Sequence, residues 1–283
     1  MIRLHSHGQG RPNRPQRLLL KLSRFIREAL VTEVRLDERG FRSRFRCEGV
    51  FEATRPMTLW TKEEGTMRWI DGELRAGDVF MDIGANIGIY TIAAAHRVGP
   101  SGAVYAFEPH KANAMSLMRN VVLNGFDDRI IVFTNGLSDS SVTLEFNYSS
   151  LASASSGSQL GHSRVAGKDR SFAPVAREMM TATSVDRLIA EGAILPPSLV
   201  KIDVDGNELA ILKGMRTLLG GADRPRSLQV ELNVGEQAPI TTFLAELGYR
   251  PIERHFTSAG KRASARGLSL DQIAHNAIFQ PGT

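Results

Sequence analysis

The chain has 283 residues, 42% hydrophobic and 23% charged, which fits one large α/β domain with extensions and lies in the ordinary range for a globular protein. A single cysteine, Cys47, excludes an internal disulfide and any cysteine-based zinc site, and no run approaches the ~18 apolar residues of a membrane span. The net charge of +5 is uneven: residues 1–50 hold 12 Lys/Arg against 5 Asp/Glu, and the remainder 23 against 25, so the body is near neutral and no nucleic-acid partner is expected.

Residues 1–16 are rich in Gly, Pro, Arg and His without periodicity and read as disordered, with none of the order of a signal peptide. A cytoplasmic location is therefore expected. Residues 17–30 place Leu18, Leu19, Leu22, Phe25, Ile26 and Leu30 on one helical face, interleaved with Arg17, Lys21, Arg24 and Arg27. Such a basic amphipathic helix either packs on its own domain or makes a peripheral contact with an anionic membrane or a partner. Residues 31–60 read as short strands with a turn at Asp37-Glu-Arg-Gly40. The expected division is a basic extension over 1–60 and a main domain over 61–283.

The main domain alternates strand and helix. Strands are expected at 79–83, 103–107 and 129–134, with helices over 86–98, closed by Gly99-Pro100, and over 110–124, closed by Asn124-Gly125. This pattern gives a parallel sheet with right-handed crossovers. Val142-Thr-Leu-Glu-Phe146 reads as a further strand, and residues 147–180 as a flexible Ser/Gly-rich insertion, either a lid or inert. Beyond it come a helix start near Ser184 and Asp186, strands at 199–203 and 227–231, and helices over 207–219 and 236–247. Residues 249–254 and 276–279 fit an antiparallel pair. There is no internal repeat.

The chemistry gathers at strand ends. Asp82 closes one strand before the spaced turn Gly84-Ala-Asn86-Ile-Gly88, and Glu108 closes the next, 26 positions on. Glycines at a strand-to-helix turn let a ligand approach the backbone, and the helix N-terminus offers N–H groups. Glu108 suits a ribose diol. A dehydrogenase fingerprint would carry glycine where Asn86 stands, and Asp82 would sit where a pyrophosphate needs no carboxylate. An adenosyl amino acid offers an ammonium for Asp82 and a ribose for Glu108, so S-adenosylmethionine fits better than NAD. Ser138 and Asp139 follow the third strand, where contacts to an adenine edge arise. Asp203 ends the fourth strand at the switch point of the sheet, and Glu231 ends the fifth. Asp205 and Glu208 open a helix and suit capping. Asp203, Glu231 and Asn233 offer oxygen ligands, but their spacing fixes no coordination geometry, so no metal is assigned. His96, His110, His162, His255 and His275 are scattered, and none is singled out as a base.

The runs Asp78-Val-Phe-Met-Asp82-Ile-Gly-Ala-Asn-Ile-Gly88, Ala106-Phe-Glu108-Pro109, Asn120 to Asn124-Gly125, and Val200-Lys-Ile-Asp203-Val-Asp-Gly-Asn-Glu208 to Leu212-Lys-Gly214 resemble the FkbM family of methyltransferases. The resemblance covers roughly residues 60–235 and departs from the family at Asp205, where Glu is usual. It implies a class I, Rossmann-like S-adenosylmethionine-dependent enzyme of that family's usual kind, an O-methyltransferase acting on a sugar, glycolipid, polysaccharide or polyketide hydroxyl. It implies that Asp82, Gly84, Asn86 and Glu108 bind the cofactor and that Asp203 sits at the methyl-transfer site. The expected sheet is seven-stranded and mostly parallel, in the order 3-2-1-4-5-7-6, with helices on both faces. The full expected cofactor set is Asp82, Gly84, Asn86, Gly88, Glu108 and Ser138, and the expected catalytic pair is Asp203 and Glu231. Two alternatives stand beside it. A nucleic-acid methyltransferase typically carries an Asn/Asp-Pro-Pro-aromatic element or a cysteine after the fourth strand, and this chain has Asp203-Val-Asp-Gly. A non-catalytic S-adenosylmethionine-binding module would have no need of the intact set.

Overall fold

The structure is a computed structural model that describes residues 14–62, 64–164, 170–256 and 258–282. The expected disorder over residues 1–16 falls outside the described residues up to residue 13, and residues 14–16 already belong to helix α1 (Arg14–Ala29). The apolar side chains of α1 do not pack on the body: Leu18, Leu22 and Phe25 are 69%, 51% and 69% exposed. The alternative of a helix packed on its own domain is therefore not what the structure shows.

Strands β1 (Thr32–Glu38) and β2 (Phe41–Cys47) form an antiparallel hairpin around Arg39-Gly40, whose φ values of 54° and 77° suit a two-residue turn. In β2, Phe41, Ser43, Phe45 and Cys47 are buried and the intervening arginines exposed, the period of two of a half-buried strand. Strands expected over 50–60 are instead helices α2 (Val50–Met57) and α3 (Leu59–Lys62), followed by α4 (Glu64–Glu73). Pro56 lies one residue from the end of α2, where it forfeits a single intrahelical bond, so it shortens the helix without preventing it.

The central sheet follows the expected alternation. β3 (Val79–Ile83), α5 (Ile89–Val98), β4 (Ala103–Phe107), α6 (Lys111–Asn124) and β5 (Ile130–Phe133) make its first half. A second, smaller sheet then interrupts it, built from β6 (Gly136–Leu137), β7 (Val142–Tyr148), β8 (Gln159–Leu160) and β9 (Ala176–Thr183) in the order β6-β9-β7-β8. The segment 147–180 is thus not simply an insertion: β7, β8 and β9 draw on it, and residues 165–169 lie outside the described residues. After α7 (Val185–Ala190) come β10 (Leu199–Ile202), α8 (Glu208–Lys213), α9 (Arg216–Gly220), β11 (Ser227–Leu232), α10 (Gln237–Glu246), β12 (Tyr249–His255), α11 (Ser258–Ala265) and β13 (His275–Pro281). The seven strands lie in the order β12-β13-β11-β10-β3-β4-β5, with only β13 antiparallel to its neighbours. This is the 3-2-1-4-5-7-6 order expected from the sequence.

Both faces of the sheet are covered, so its inner strands read as near-continuous apolar runs. Phe80, Val104 and Leu199 point to one face and meet α4, α5, α6 and the hairpin residues Leu36, Phe41 and Phe45. Met81, Ile83, Tyr105, Val200 and Ile202 point to the other and meet α7 to α10. Two helix boundaries differ from expectation. Helix α5 starts at Ile89 rather than Asn86, because Gly84, Asn86 and Gly88 take φ values of 80°, 52° and 89° and keep the turn out of helical geometry. The helix expected over 207–219 breaks at Gly214, where a Cβ would collide with the Ser138 carbonyl, and α9 restarts with its Thr217 and Leu218 amides donating to the Asp186 carboxylate at 2.8 and 2.9 Å.

Candidate active site

The crossover from β3 to its two neighbours on either side opens a crevice beyond the C-terminal ends of β3, β4, β10 and β11. Glu108, first residue after β4, is buried there. One carboxylate oxygen accepts the Asn86 amide at 2.7 Å and the other the His110 amide at 2.9 Å. Burial pushes its carboxyl up to about 7. With the Asn113 side chain also bonding it, the carboxylate keeps one lone pair for an incoming hydroxyl. Glu108 lines a cavity of about 240 Å³ together with Gly84, Asn86, Asp203, Asp205 and Glu231. Beside it runs an apolar slot between Ile83, Phe107, Pro109, Leu137, Val204 and Ile211.

Three of the expected cofactor residues stand elsewhere. Asp82 is fully buried, and its carboxylate is taken by the protein's own charge: Oδ1 accepts from Lys201 Nζ at 3.1 Å and Oδ2 from Thr91 Oγ1 at 2.7 Å. It does not line the crevice, and both of its oxygens already accept hydrogen bonds within the protein. Gly88 takes a φ of 89°, which itself favours glycine, and a Cβ there would also press on the end of the Leu117 side chain. Ser138 lies on the second sheet, with its amide bonded to Thr183, and does not line the slot, whereas Leu137 does. Gly84 does reach the crevice, and its lack of a Cβ lets the turn press against the Asp203 carbonyl. The turn offers little to an anion: the amides of Gly84 and Ala85 bond to Phe107 O, that of Asn86 to Glu108, and that of Gly88 to Ala85 O.

Opposite Glu108 stands an acidic group. Asp203 follows β10, with its side chain 36% exposed and one oxygen 3.9 Å from Lys201 Nζ. Asp205 takes a φ of 63°, which turns its carboxylate toward the Gly157 amide at 2.7 Å. Glu208 accepts the Val204 and Gly206 amides, each at 3.2 Å, closing the loop on itself, and burial pushes it up to about 8. Glu231, half-buried, is held well above the carboxylate range by burial and then by Asp203, Asp205 and Glu208. So many acids, with Arg55 alone among the described lining residues as a counter-cation, raise the proton affinity of Glu231 and favour a cationic ligand.

A second cavity, of about 440 Å³, opens beside the first, between α2, α5 and the loop over residues 150–156. Phe51, Leu59, Ile89 and Tyr90 give it an apolar side. Arg55, Ser155, Ser156 and Asp203 belong to both cavities. The loop is fastened through its carbonyls: Asn86 and Asn113 donate to Ser155 O at 2.9 and 3.0 Å, and His110 Nε2 bonds Ser150 O at 2.8 Å. His110 also caps α6 by accepting the Asn113 amide on Nδ1, which leaves Nε2 as the donor, and burial keeps the ring below its usual pKa. Sequence reasoning missed Arg55 and Asn113 and did not single out His110 from the other histidines. The position of His110 directly after Glu108-Pro109, at a helix start, was a signal for it; nothing local marks Arg55.

Comparison with known proteins adds the following. Residues 82–251 match the model of the methyltransferase FkbM domain. The hexuronic acid methyltransferase AglP of Haloferax volcanii is 28% identical over 226 residues, covering 78% of this chain and 82% of the relative. The 31-O-demethyl-FK506 methyltransferase FkbM of Streptomyces tacrolimicus is 33% identical over 181 residues, covering 57% and 67%. Among solved structures, methyltransferase FkbM from Methylobacillus flagellatus KT aligns with a TM-score of 0.49 at 17% identity, over 81% of this chain and 51% of that one.

Proposed function

The chain belongs to the methyltransferase FkbM family and is an S-adenosylmethionine-dependent methyltransferase; from that premise we propose that it methylates a hydroxyl of a sugar, glycolipid, polysaccharide or related secondary metabolite. The observation that carries this reading is that one carboxylate, Asp203, stands on the wall of both cavities. The crevice would hold the cofactor and the second cavity the acceptor, so that the two ligands meet at Asp203.

The residues of the crevice fit the cofactor. Glu108 would accept a ribose hydroxyl, the slot from Ile83 to Ile211 would take the adenine, and Asp203, Asp205 and Glu231 would balance a cation. S-adenosylmethionine, when bound, supplies a methyl group already activated on a sulfonium. The protein's work is then alignment, which Gly84 and Glu108 support from the crevice and α2 from the acceptor side. Asp203 would accept the hydroxyl proton, with Glu231 beside it as the second candidate. Most of the wall of the acceptor cavity comes from the extension over residues 1–60 and from the segment 147–180, and acceptor choice would reside there.

The reading extends to where the acceptor is met. Among the described residues no helix is long and apolar enough to cross a membrane. Helix α1 leaves an apolar face exposed beside Lys21 and Arg24, which suits the surface of an anionic membrane seen from the cytoplasm and a lipid-linked acceptor. Liposome sedimentation with and without residues 1–30 tests this part; equal pelleting would remove it. Calorimetric titration of S-adenosylmethionine, S-adenosylhomocysteine and NAD into wild type and Glu108→Ala tests the cofactor site. An Asp203→Asn variant with unchanged turnover, once an acceptor is found by screening sugars and lipid extracts, would take Asp203 out of the mechanism.

A further inference from the structure

Among the described residues Arg55 is the one Lys or Arg on the wall of either cavity, and it stands where they join. It lies in the last turn of α2, half-buried. Its Nε and Nη2 both donate to Ala154 O, at 3.1 and 3.0 Å. A guanidinium has five N–H donors in a fixed fork, so three remain beyond this latch. No carboxylate among the described residues pairs with it, although arginines elsewhere in the chain, such as Arg97 and Arg226, have aspartate partners. Ala154, buried and held at a φ of 60°, fixes the carbonyl that aims the fork.

The need for such a group is visible on the other side of the crevice. The glycine turn has spent its amides within the protein, and the crevice acids repel an anion. A carboxylate placed near the junction of the cavities would therefore find one cation. We propose that Arg55 is a carboxylate receptor at that junction, binding a carboxylate-bearing ligand through the donors that Ala154 leaves unused. The proposal rests on the methyltransferase reading. The same chemistry can come from two sources, the amino-acid end of the cofactor or an acidic sugar in the acceptor cavity.

The test is calorimetric titration of the full chain and of its Arg55→Gln and Arg55→Lys variants. The probes are S-adenosylhomocysteine, which carries the amino acid, and 5′-methylthioadenosine, which lacks it. Saturation-transfer NMR with methyl glucuronide and methyl glucoside, at saturating S-adenosylhomocysteine, covers the second source. If the cofactor supplies the carboxylate, Arg55→Gln weakens S-adenosylhomocysteine by about tenfold or more and leaves 5′-methylthioadenosine unchanged. If the acceptor supplies it, S-adenosylhomocysteine binding holds, while the wild-type preference for the glucuronide disappears in Arg55→Gln. Arg55→Lys, which keeps the charge and loses the fork, should fall between in either case. Equal weakening of both adenosyl probes would reduce Arg55 to a latch for the loop and overturn the proposal, as would wild-type behaviour with all four probes. Wild-type binding of the adenosyl probes is read separately, so failure of the methyltransferase reading would not be confused with failure of Arg55.

Discussion

The floor of the site and its roof are built in opposite ways. The floor is made of strand ends that follow one another through short turns, and its groups are locked by burial: Glu108 on two amides, Asp82 on Lys201 and Thr91. The roof joins α2 to the loop over residues 150–156, about a hundred positions away, and holds it through backbone carbonyls that accept from Arg55, Asn86, His110 and Asn113. A carbonyl latch does not depend on which side chains the loop carries. Such a roof can change its lining while its course is kept, whereas a single change at Asp82, Lys201 or Glu108 on the floor leaves a buried partner unpaired. On the proposed reading, cofactor binding would rest mainly on the floor and acceptor choice mainly on the roof, with the two meeting at Arg55 and Asp203.

The contrast is sharpest at the buried pair. Lys201→Met leaves the Asp82 carboxylate in the interior without its cation and should cost about 3–5 kcal/mol, read as a lower midpoint in chemical denaturation. A Lys201→Met, Asp82→Leu double variant should recover much of that loss; no recovery would mean that the pair does more than neutralise itself. Next comes Glu108→Gln, which keeps the shape and removes the charge. It should weaken S-adenosylhomocysteine by about 1.5–3 kcal/mol, roughly tenfold to a hundredfold, by calorimetry.

The same residue predicts a pH dependence. Its carboxyl is pushed up to about 7, and hydroxyl donors favour the ionised form, so ligand binding should release a proton near neutrality. Affinity should be full above pH 8 and fall by up to about tenfold per unit below 7, a fall that Glu108→Gln should abolish. A flat profile in the wild type would show that Glu108 does not meet the ligand as a carboxylate. The smallest effect belongs to the roof. Ser153→Ala removes a 2.9 Å bond to Ser116 on the acceptor side and should lower stability by about 1 kcal/mol or less, with the thermal midpoint down by roughly 2–4 °C. Affinity for S-adenosylhomocysteine should not change; a loss there would erase the division between floor and roof.

The sheet order and the position of Glu108 were legible because they follow from local rules: strand-ending acids, glycine turns and apolar runs of strand length. The engagement of Asp82 within the protein was not legible from such rules. Its partner is 119 positions away, and it becomes visible only once β3 and β10 are known to be neighbours with Asp82 opposite Lys201 in register. Gly88 carries the mark of a ligand turn, but what favours glycine there is its φ of 89°, together with the Leu117 side chain on the next helix. Ser138 was placed by counting from a strand end, and a one-residue offset puts Leu137 in the slot instead. The helix α2 was hidden by Pro56, and with it Arg55, whose importance depends wholly on where the roof brings it.

The Asp82–Lys201 pair also ties together pieces of chain that are otherwise far apart. One charge is contributed before the second sheet and the other after it. If the chain were interrupted between residues 164 and 170, each fragment would carry half of an ion pair that only the other can complete. Neither fragment should hold a folded core alone, and the two should assemble on mixing into a one-to-one complex. The sheet of this enzyme is in that sense an obligate heterodimer written as one polypeptide.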